Sequence, residues 1–360
     1  MTASPGALLA PAGISSLAWR VYRSALVVDM HDDLPSRMLD DAYDPAVRHP
    51  AGFTSAEGHS DLPRFLESGV TAVWLAAFVG AGYAAQPGAS FARAAQMLGA
   101  IREFVADHPN ALIAATRAEH VRQAKAGDRV AVFAGVEGGH AIEHSLDRLG
   151  DLYALGARYL TLTWNNGNSW AGSSLGEGGT STGGLTAFGR EVVREMNRLG
   201  MLVDVSHVSD ATLRDVLDVS AQPVVASHSC ARALCDHPRN LTDQQLRDIA
   251  AAGGVACLNF YSRFLCPAWG PAVDAGTPPP AVTIAHLADH LAHMASVAGA
   301  AHVGLGSDFN GLGGLPDGMH DITRLPWLAE ALVQRGFGEA ELRGVLGGNV
   351  VRVIGQVIGE

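Results

Sequence analysis

Eight short apolar runs, rich in β-branched residues, recur along the chain and are separated by longer stretches of helical spacing. They are 25–29, 70–78, 130–136, 158–163, 201–206, 223–227, 254–260 and 302–307. Each reads as a nearly continuous hydrophobic stretch rather than an alternation, the pattern of a parallel strand covered on its outer face. Between them, 90–108 is long and amphipathic, and 187–199, 210–217 and 283–297 have helical spacing. Thr116-x-x-Glu119 and Thr242-x-x-Gln245 are capping-box patterns that open short helices. From Ala329 onward the pattern predicts a closing helical pair. Eight β/α units in succession predict one (β/α)8 TIM barrel, with residues 1–24 as an extension packed on it. A doubly wound open sheet is the competing arrangement, but no Gly-x-Gly-x-x-Gly follows the first strand.

Two segments interrupt this rhythm: 36–58 is long and irregular, and 165–185 is rich in Gly, Ser and Thr. Loops that follow strands build the catalytic face of a barrel, so both are expected there as covers for the site. Composition narrows the class of partner. Nearly half of the 360 residues are apolar and only 17% are charged, as in a chain with a large buried core. A net charge of −11, from 25 basic and 36 acidic residues, argues against nucleic acid and anionic membrane as partners. Cys230, Cys235, Cys257 and Cys266 form neither a disulfide framework nor a Cys-x-x-Cys pair, which points to free thiols in a reducing compartment. With no signal-peptide pattern, spanning stretch or hydrophobic tail, the expectation is a cytoplasmic protein acting on a small molecule.

The chemistry gathers at the ends of the predicted strands. The first ends in Asp29-Met30-His31-Asp32-Asp33, where strand alternation would set His31 and Asp33 on one face. The third ends in Glu137-Gly138-Gly139-His140, the fifth in His207, the sixth in His228 and the eighth in Asp308. A barrel brings these ends to one rim. Three histidines and several carboxylates exceed what one catalytic zinc needs, so two zinc ions are expected. His31 and Asp33 would hold one, His207 and His228 the other, and Glu137 would bridge them. Such a pair lowers the pKa of a shared water from 15.7 toward about 7. Asp308 is then the natural general base, and afterwards the acid toward the leaving amine. Zinc, manganese and cobalt all suit this donor set.

Taken in order, Val28-Asp29-Met30-His31-Asp32-Asp33-Leu34-Pro35, Gly135-Val136-Glu137-Gly138-Gly139-His140, Arg158-Tyr159-Leu160-Thr161-Leu162-Thr163 and Asp204-Val205-Ser206-His207 form a distinctive series. Ser227-His228-Ser229, Asp236-His237-Pro238-Arg239-Asn240, Gly306-Ser307-Asp308-Phe309 and Gly347-Gly348-Asn349 continue it. The sequence resembles the membrane (renal) dipeptidase family of the amidohydrolase superfamily from about the first strand to the end. That resemblance implies a binuclear zinc dipeptidase with ligands at His31, Asp33, Glu137, His207 and His228, and a catalytic aspartate at Asp308. It also implies a carboxylate-binding arginine at Arg239, a substrate-contacting tyrosine at Tyr261, and a homodimer. The implied substrates are dipeptides, L-Xaa-D-Xaa or L-Xaa-L-Xaa. The same two-metal site would also suit another small amide, lactone or ester, and a catalytically silent metal-binding barrel is the rival outside enzymology.

One departure bears on specificity. After Thr161-Leu162-Thr163 the family usually has a histidine that contacts the substrate, whereas this chain has Trp164, then Asn165 and Asn166. An indole offers only an N–H donor. Either an asparagine takes over that contact or the substrate differs. Among other residues, His286, His290 and His293 are expected to pack outside the barrel and Cys230 to be no ligand. Asp29 and Asp32 are expected to be structural, and His140 to support the ligands.

Overall fold

The apolar runs do close on themselves. The computed structural model describes residues 10–176 and 183–360, with strands β1 (Val28–Asp32), β2 (Ala72–Phe78), β3 (Leu112–Ala114), β4 (Val130–Glu137) and β5 (Ala157–Thr161). They are followed by β6 (Leu202–Asp204), β7 (Val225–Ala226), β8 (Val255–Leu258) and β9 (Val303–Leu305). All pairings between these strands are parallel, in the order β2-β1-β9-β8-β7-β6-β5-β4, and a direct β2–β4 ladder from Ala72↔Ala131 to Phe78↔Glu137 completes the ring. The result is a closed eight-stranded (β/α)8 barrel surrounded by helices, as the sequence pattern predicts. β3 is the unpredicted ninth strand. It takes the edge of β4 at Val130–Val132, below the stretch from Ala134 onward that β5 occupies. Three residues, only one of them buried, are too short a run to register as apolar periodicity.

Two apolar layers hold the ring. The interior is filled by Val28, Met30, Ala72, Ala131, Leu202, Val225, Val255 and Cys257 around an aromatic stack. Trp74 stacks on Phe133 at 4.5 Å and on Tyr159 at 5.1 Å, all three fully buried. Rings of this kind contribute their burial, about 1.5–3 kcal/mol each, plus the stacking itself. Gly135 makes the space, since a Cβ there would lie 2.1 Å from the Tyr159 ring. The far end is stoppered by the helices Ala118–Ala126 and Asn349–Val357, whose apolar faces join the same cluster. The second layer lies between strands and outer helices.

The helices follow the pattern, with local differences. Ala89–Asp107, Ala187–Leu199, Asp210–Val219 and Ile284–Ala298 match the predicted spans within two residues. Thr242 and Gln245 form the predicted reciprocal cap, with bonds of 3.2 and 2.8 Å. Thr116 does not: its N–H is accepted by His120 Nδ1 instead, and the helix starts at Ala118 without a side-chain cap. The C-terminal stretch is more broken than a helical pair, running Leu325–Val333, Glu339–Arg343, a wide turn at Gly344–Gly348 and then Asn349–Val357. The break occurs where the chain grazes β1, leaving no room for a side chain: a Cβ on Gly347 would sit 2.5 Å from Leu26 O. In the N-terminal extension, helix Ser16–Ser24 is fastened by Glu330, which accepts from both the Ser15 amide and its hydroxyl. Residues 1–9 of that extension, and 177–182 of the Gly-rich loop, lie outside the described residues. Among the described residues, no helix is long and apolar enough to cross a membrane.

Because Gly135 exists to admit Tyr159, Gly135→Ala should cost about 1–3 kcal/mol by overpacking. Urea denaturation should show the lower midpoint at unchanged slope.

Candidate metal centre

Four strand ends supply the donors. At β1 the register against β2 shifts between Asp29 and Asp32, a bulge that re-aims the strand's tip. Asp33 is therefore not on the strand at all. It occupies the N-cap position of the helix Leu34–Asp40, its side chain making no cap bond there, and reaches His31 instead, Oδ2 to Nε2 3.4 Å, so the expected pair forms by a turn rather than by strand alternation. Glu137 ends β4 and is followed by Gly138 at φ 105° and by Gly139, where a Cβ would lie 2.2 Å from Leu162 O. These glycines let the chain turn tightly beneath the carboxylate. His207 follows β6 in the left-handed region, at φ 68°, and His228 follows β7.

The five side chains meet around Glu137. Its Oε1 is 2.9 Å from His207 Nε2 and 3.5 Å from His228 Nε2, while Oε2 is 3.6 Å from His31 Nε2. His207 and His228 bring their Nε2 atoms within 3.0 Å of each other. Every ring is tethered by its other nitrogen: His31 Nδ1 to the Tyr159 hydroxyl at 3.0 Å, His207 Nδ1 to Asn165 Oδ1 at 3.2 Å, and His228 Nδ1 to Ser227 Oγ at 2.7 Å. With the other nitrogens held this way, the three Nε2 atoms all face inward toward Glu137. His31 Nε2 and Asp33 Oδ1 are buried without a hydrogen-bond partner.

Electrostatics point the same way. Burial works against charge on Glu137, but the charge on His31 and hydrogen bonds from the neighbouring imidazoles of His207 and His228 hold it well below the usual carboxylate range. Burial likewise opposes charge on His31, yet the Tyr159 oxygen, Glu137 and Asp33 carry it well above the ordinary histidine range. Burial, with Arg239 nearby, pushes His207 down to about 4, and burial lowers His228 further below its ordinary value. Both are thus neutral, the form that ligates metal. Three imidazole nitrogens and the carboxylate oxygens of Glu137 and Asp33, buried together at one rim, are a donor set that fits divalent transition-metal cations. His31, Asp33 and Glu137 form one candidate group, and Glu137, His207 and His228 a second. The ligand atoms of each lie within 4.8 Å of one another.

Asp308 belongs to a third such group with His31 and His228. It too is left-handed, at φ 64°, and its Oδ2 accepts from Asn259 Nδ2 at 2.8 Å. Burial, reinforced by Asp33 and Glu137 against the pull of His31, pushes its carboxyl well above the usual range. The cluster opens into a cavity of about 560 Å3 lined by Glu137, Asp308, Arg239, Tyr261, Trp164 and Asn165, among others. Arg239 is buried: one Nη donates to His228 O at 3.2 Å, and its Nε has no partner. Trp164 sets an aromatic wall, edge-on to Phe78 at 4.9 Å and 6.4 Å from the His207 ring. Asn165 lines the cavity too, but its Oδ1 is committed to His207. Asn259 and Tyr159 were not singled out from the sequence. Their only signal is a polar group ending, or lying within, an otherwise apolar strand.

Other residues take the structural parts expected of them. His290 accepts from the Ala231 amide and meets Leu265 O, and His293 pairs with Asp243. Cys230 donates to Asn259 O. Asp32 accepts from Ser60, Asn310 and the Leu34 amide, and Asp29 from Ser307. His140, expected to support the ligands, is buried beside Asn166, at 3.5 Å, and among the described residues shows no hydrogen bond to a candidate ligand.

Comparison with known proteins assigns the family. The family model for membrane dipeptidase, peptidase family M19, matches residues 16–358. A solved metallopeptidase of family M19, described as dipeptidase AC, is 29% identical and superposes with a TM-score of 0.81, covering 94% of this chain and 100% of its own. A metallopeptidase from Rhodobacter sphaeroides, solved with a phosphinate mimic of the dipeptide L-Ala-D-Ala, is 28% identical at a TM-score of 0.80, over 92% of this chain and 99% of its own. A probable dipeptidase from Pseudomonas aeruginosa, 23% identical over 94% of this chain and 97% of its own, shares the fold at a TM-score of 0.79. The chain belongs to the membrane dipeptidase family, peptidase family M19, and is a metal-dependent dipeptidase.

Proposed function

We propose that this enzyme binds two zinc ions and hydrolyses dipeptides of the form L-Xaa-D-Xaa or L-Xaa-L-Xaa. His31 and Asp33 would hold one ion, His207 and His228 the other, and Glu137 would bridge them. Bound there, the ions would polarise the scissile carbonyl and activate a water. The observation that carries the dipeptide reading is Arg239, a buried guanidinium with a free Nε in the same cavity as the donor cluster. A desolvated arginine without a carboxylate partner among the described residues suits the free C-terminal carboxylate of a very short peptide, which it can grip with two parallel bonds.

The remaining residues divide the work. Asp308, steadied by Asn259, takes the proton of the attacking water and returns it to the leaving amine. Asn165 and Tyr159 keep His207 and His31 turned toward the cluster. Tyr261 would close on the C-terminal residue, and Trp164 with Phe78 would receive an apolar side chain where a family histidine would offer a donor. The relative solved with an L-Ala-D-Ala mimic supports a D-residue at the carboxyl end. The four free cysteines support a reducing, cytoplasmic setting.

A panel of L-Xaa-D-Xaa and L-Xaa-L-Xaa dipeptides, run on zinc-loaded protein with metal quantified by elemental analysis, tests the whole reading. Turnover at two zinc ions per chain is expected, and absence of turnover on both sets would remove it. Asp308→Asn should keep its zinc while kcat drops about 10²–10⁴-fold, seen by comparing metal content with initial rates. Arg239→Met should lower kcat/KM for dipeptides about 10–100-fold, the loss of charge-assisted hydrogen bonds. For the corresponding dipeptide amides, which lack the carboxylate, the two proteins should perform alike.

A further inference from the structure

Beneath the donor cluster lie two buried aspartates that take no direct part in it, and they repeat one arrangement. Asp29 on β1 accepts both the amide (2.8 Å) and the hydroxyl (2.5 Å) of Ser307, which immediately precedes Asp308. Asp204 on β6 accepts both the amide (2.8 Å) and the hydroxyl (2.6 Å) of Ser227, which immediately precedes His228. In each case a carboxylate grips the serine just ahead of a site residue on the neighbouring strand. The two differ in where the serine oxygen goes next. Ser307 Oγ continues to backbone, meeting His31 O at 3.3 Å and the Phe309 amide at 3.1 Å. Ser227 Oγ continues to the ring of His228, 2.7 Å from Nδ1.

We propose that Asp204 is a positioning residue that sets, through Ser227, which nitrogen of His228 carries the hydrogen. The argument is one of hydrogen counting. Asp204 also accepts from the Ser206 amide at 3.0 Å and from the Thr161 hydroxyl at 2.5 Å, so it has four donors around it and acts only as an acceptor. Ser227 has a single hydroxyl hydrogen, and the carboxylate takes it. Its oxygen can then only accept from Nδ1, so the hydrogen of a neutral His228 ring sits on Nδ1 and Nε2 is left bare toward Glu137. Ser206 Oγ accepts the His228 amide at 2.9 Å, which holds the backbone of the same residue. The consequence for metal affinity rests on His228 being a ligand, as proposed above; the assignment of the hydrogen does not.

Asp204→Asn makes the test directional. Oδ1 must still accept the two amides, so the new NH2 faces Ser227 Oγ and donates to it. The serine hydrogen then turns from the carboxylate to the nearer of its two remaining acceptors, His228 Nδ1 at 2.7 Å rather than Ser206 Oγ at 3.3 Å, and the ring hydrogen moves to Nε2, where it blocks coordination. In metal-free protein with 15N-labelled histidine, long-range 1H–15N spectra should show His228 protonated on Nδ1 in the parent and on Nε2 in Asp204→Asn, the resonance being identified by its loss in His228→Asn. Competition with a chromophoric chelator should show zinc binding weakened about 10–100-fold for one ion only. In a Ser227→Ala background, which removes the relay, Asp204→Asn should weaken zinc binding no further. An unchanged tautomer in Asp204→Asn overturns the proposal, as does an equal affinity loss with and without Ser227. If the parent took up no zinc, the metal reading would fail, and the tautomer spectra would still decide this one.

Discussion

Glu137 is the point on which the mouth of the barrel turns. One carboxylate faces three imidazole nitrogens at 2.9, 3.5 and 3.6 Å, and two of those nitrogens are 3.0 Å apart. Burial removes the water that would otherwise satisfy and screen so many polar groups at such distances. A protein keeps groups in this relation only if the surrounding structure leaves them nowhere else to go. The closed ring does that, because the tips of β1, β4, β6 and β7 are fixed by ladders on both sides.

Strain at the rim fits this view. His207, Asp308 and Asn310 all adopt left-handed backbone, at φ of 68°, 64° and 64°, a conformation that costs non-glycine residues roughly 1–3 kcal/mol each. Each is held there by bonds from elsewhere: His207 through its carbonyl, which accepts from the Ser174 amide, Asp308 through its amide to His31 O, and Asn310 through Asp32, Ser60 and His59. Below the rim, Tyr159 belongs to two systems at once. Its ring completes the stack with Trp74 inside the barrel, and its hydroxyl meets His31. The packing of the interior and the aim of a candidate ligand ring are therefore one structural problem, solved by the same side chain and by the missing side chain at Gly135.

Much of this is legible in the chain. Continuous apolar runs identify the eight barrel strands, and residue type at their ends identifies the candidate donors, since few arrangements other than metal binding gather His, Asp and Glu at several strand ends of one barrel. What escapes is of two kinds. Short or weak local signals fail, as at β3, where three residues earn their place only by covering an edge of β4, and at Thr116, where His120 outcompetes the expected cap. Contacts made across long separations fail as well. Asn259 looks like any polar residue after a strand until Asp308 arrives beside it, and Asp204 reads as one more strand carboxylate until Ser227 and His228 are packed above it.

The division has a physical cause. Strand period, helix spacing and the chemistry of each donor are local properties, so the chain alone determined the barrel, the family and the identities of the candidate ligands. Direction is not local: which nitrogen faces inward, how Asp33 reaches His31 past a bulge, and why Arg239 keeps one donor unpaired depend on partners tens to hundreds of residues away. Those were decided only when the ring closed and brought the partners within hydrogen-bond range.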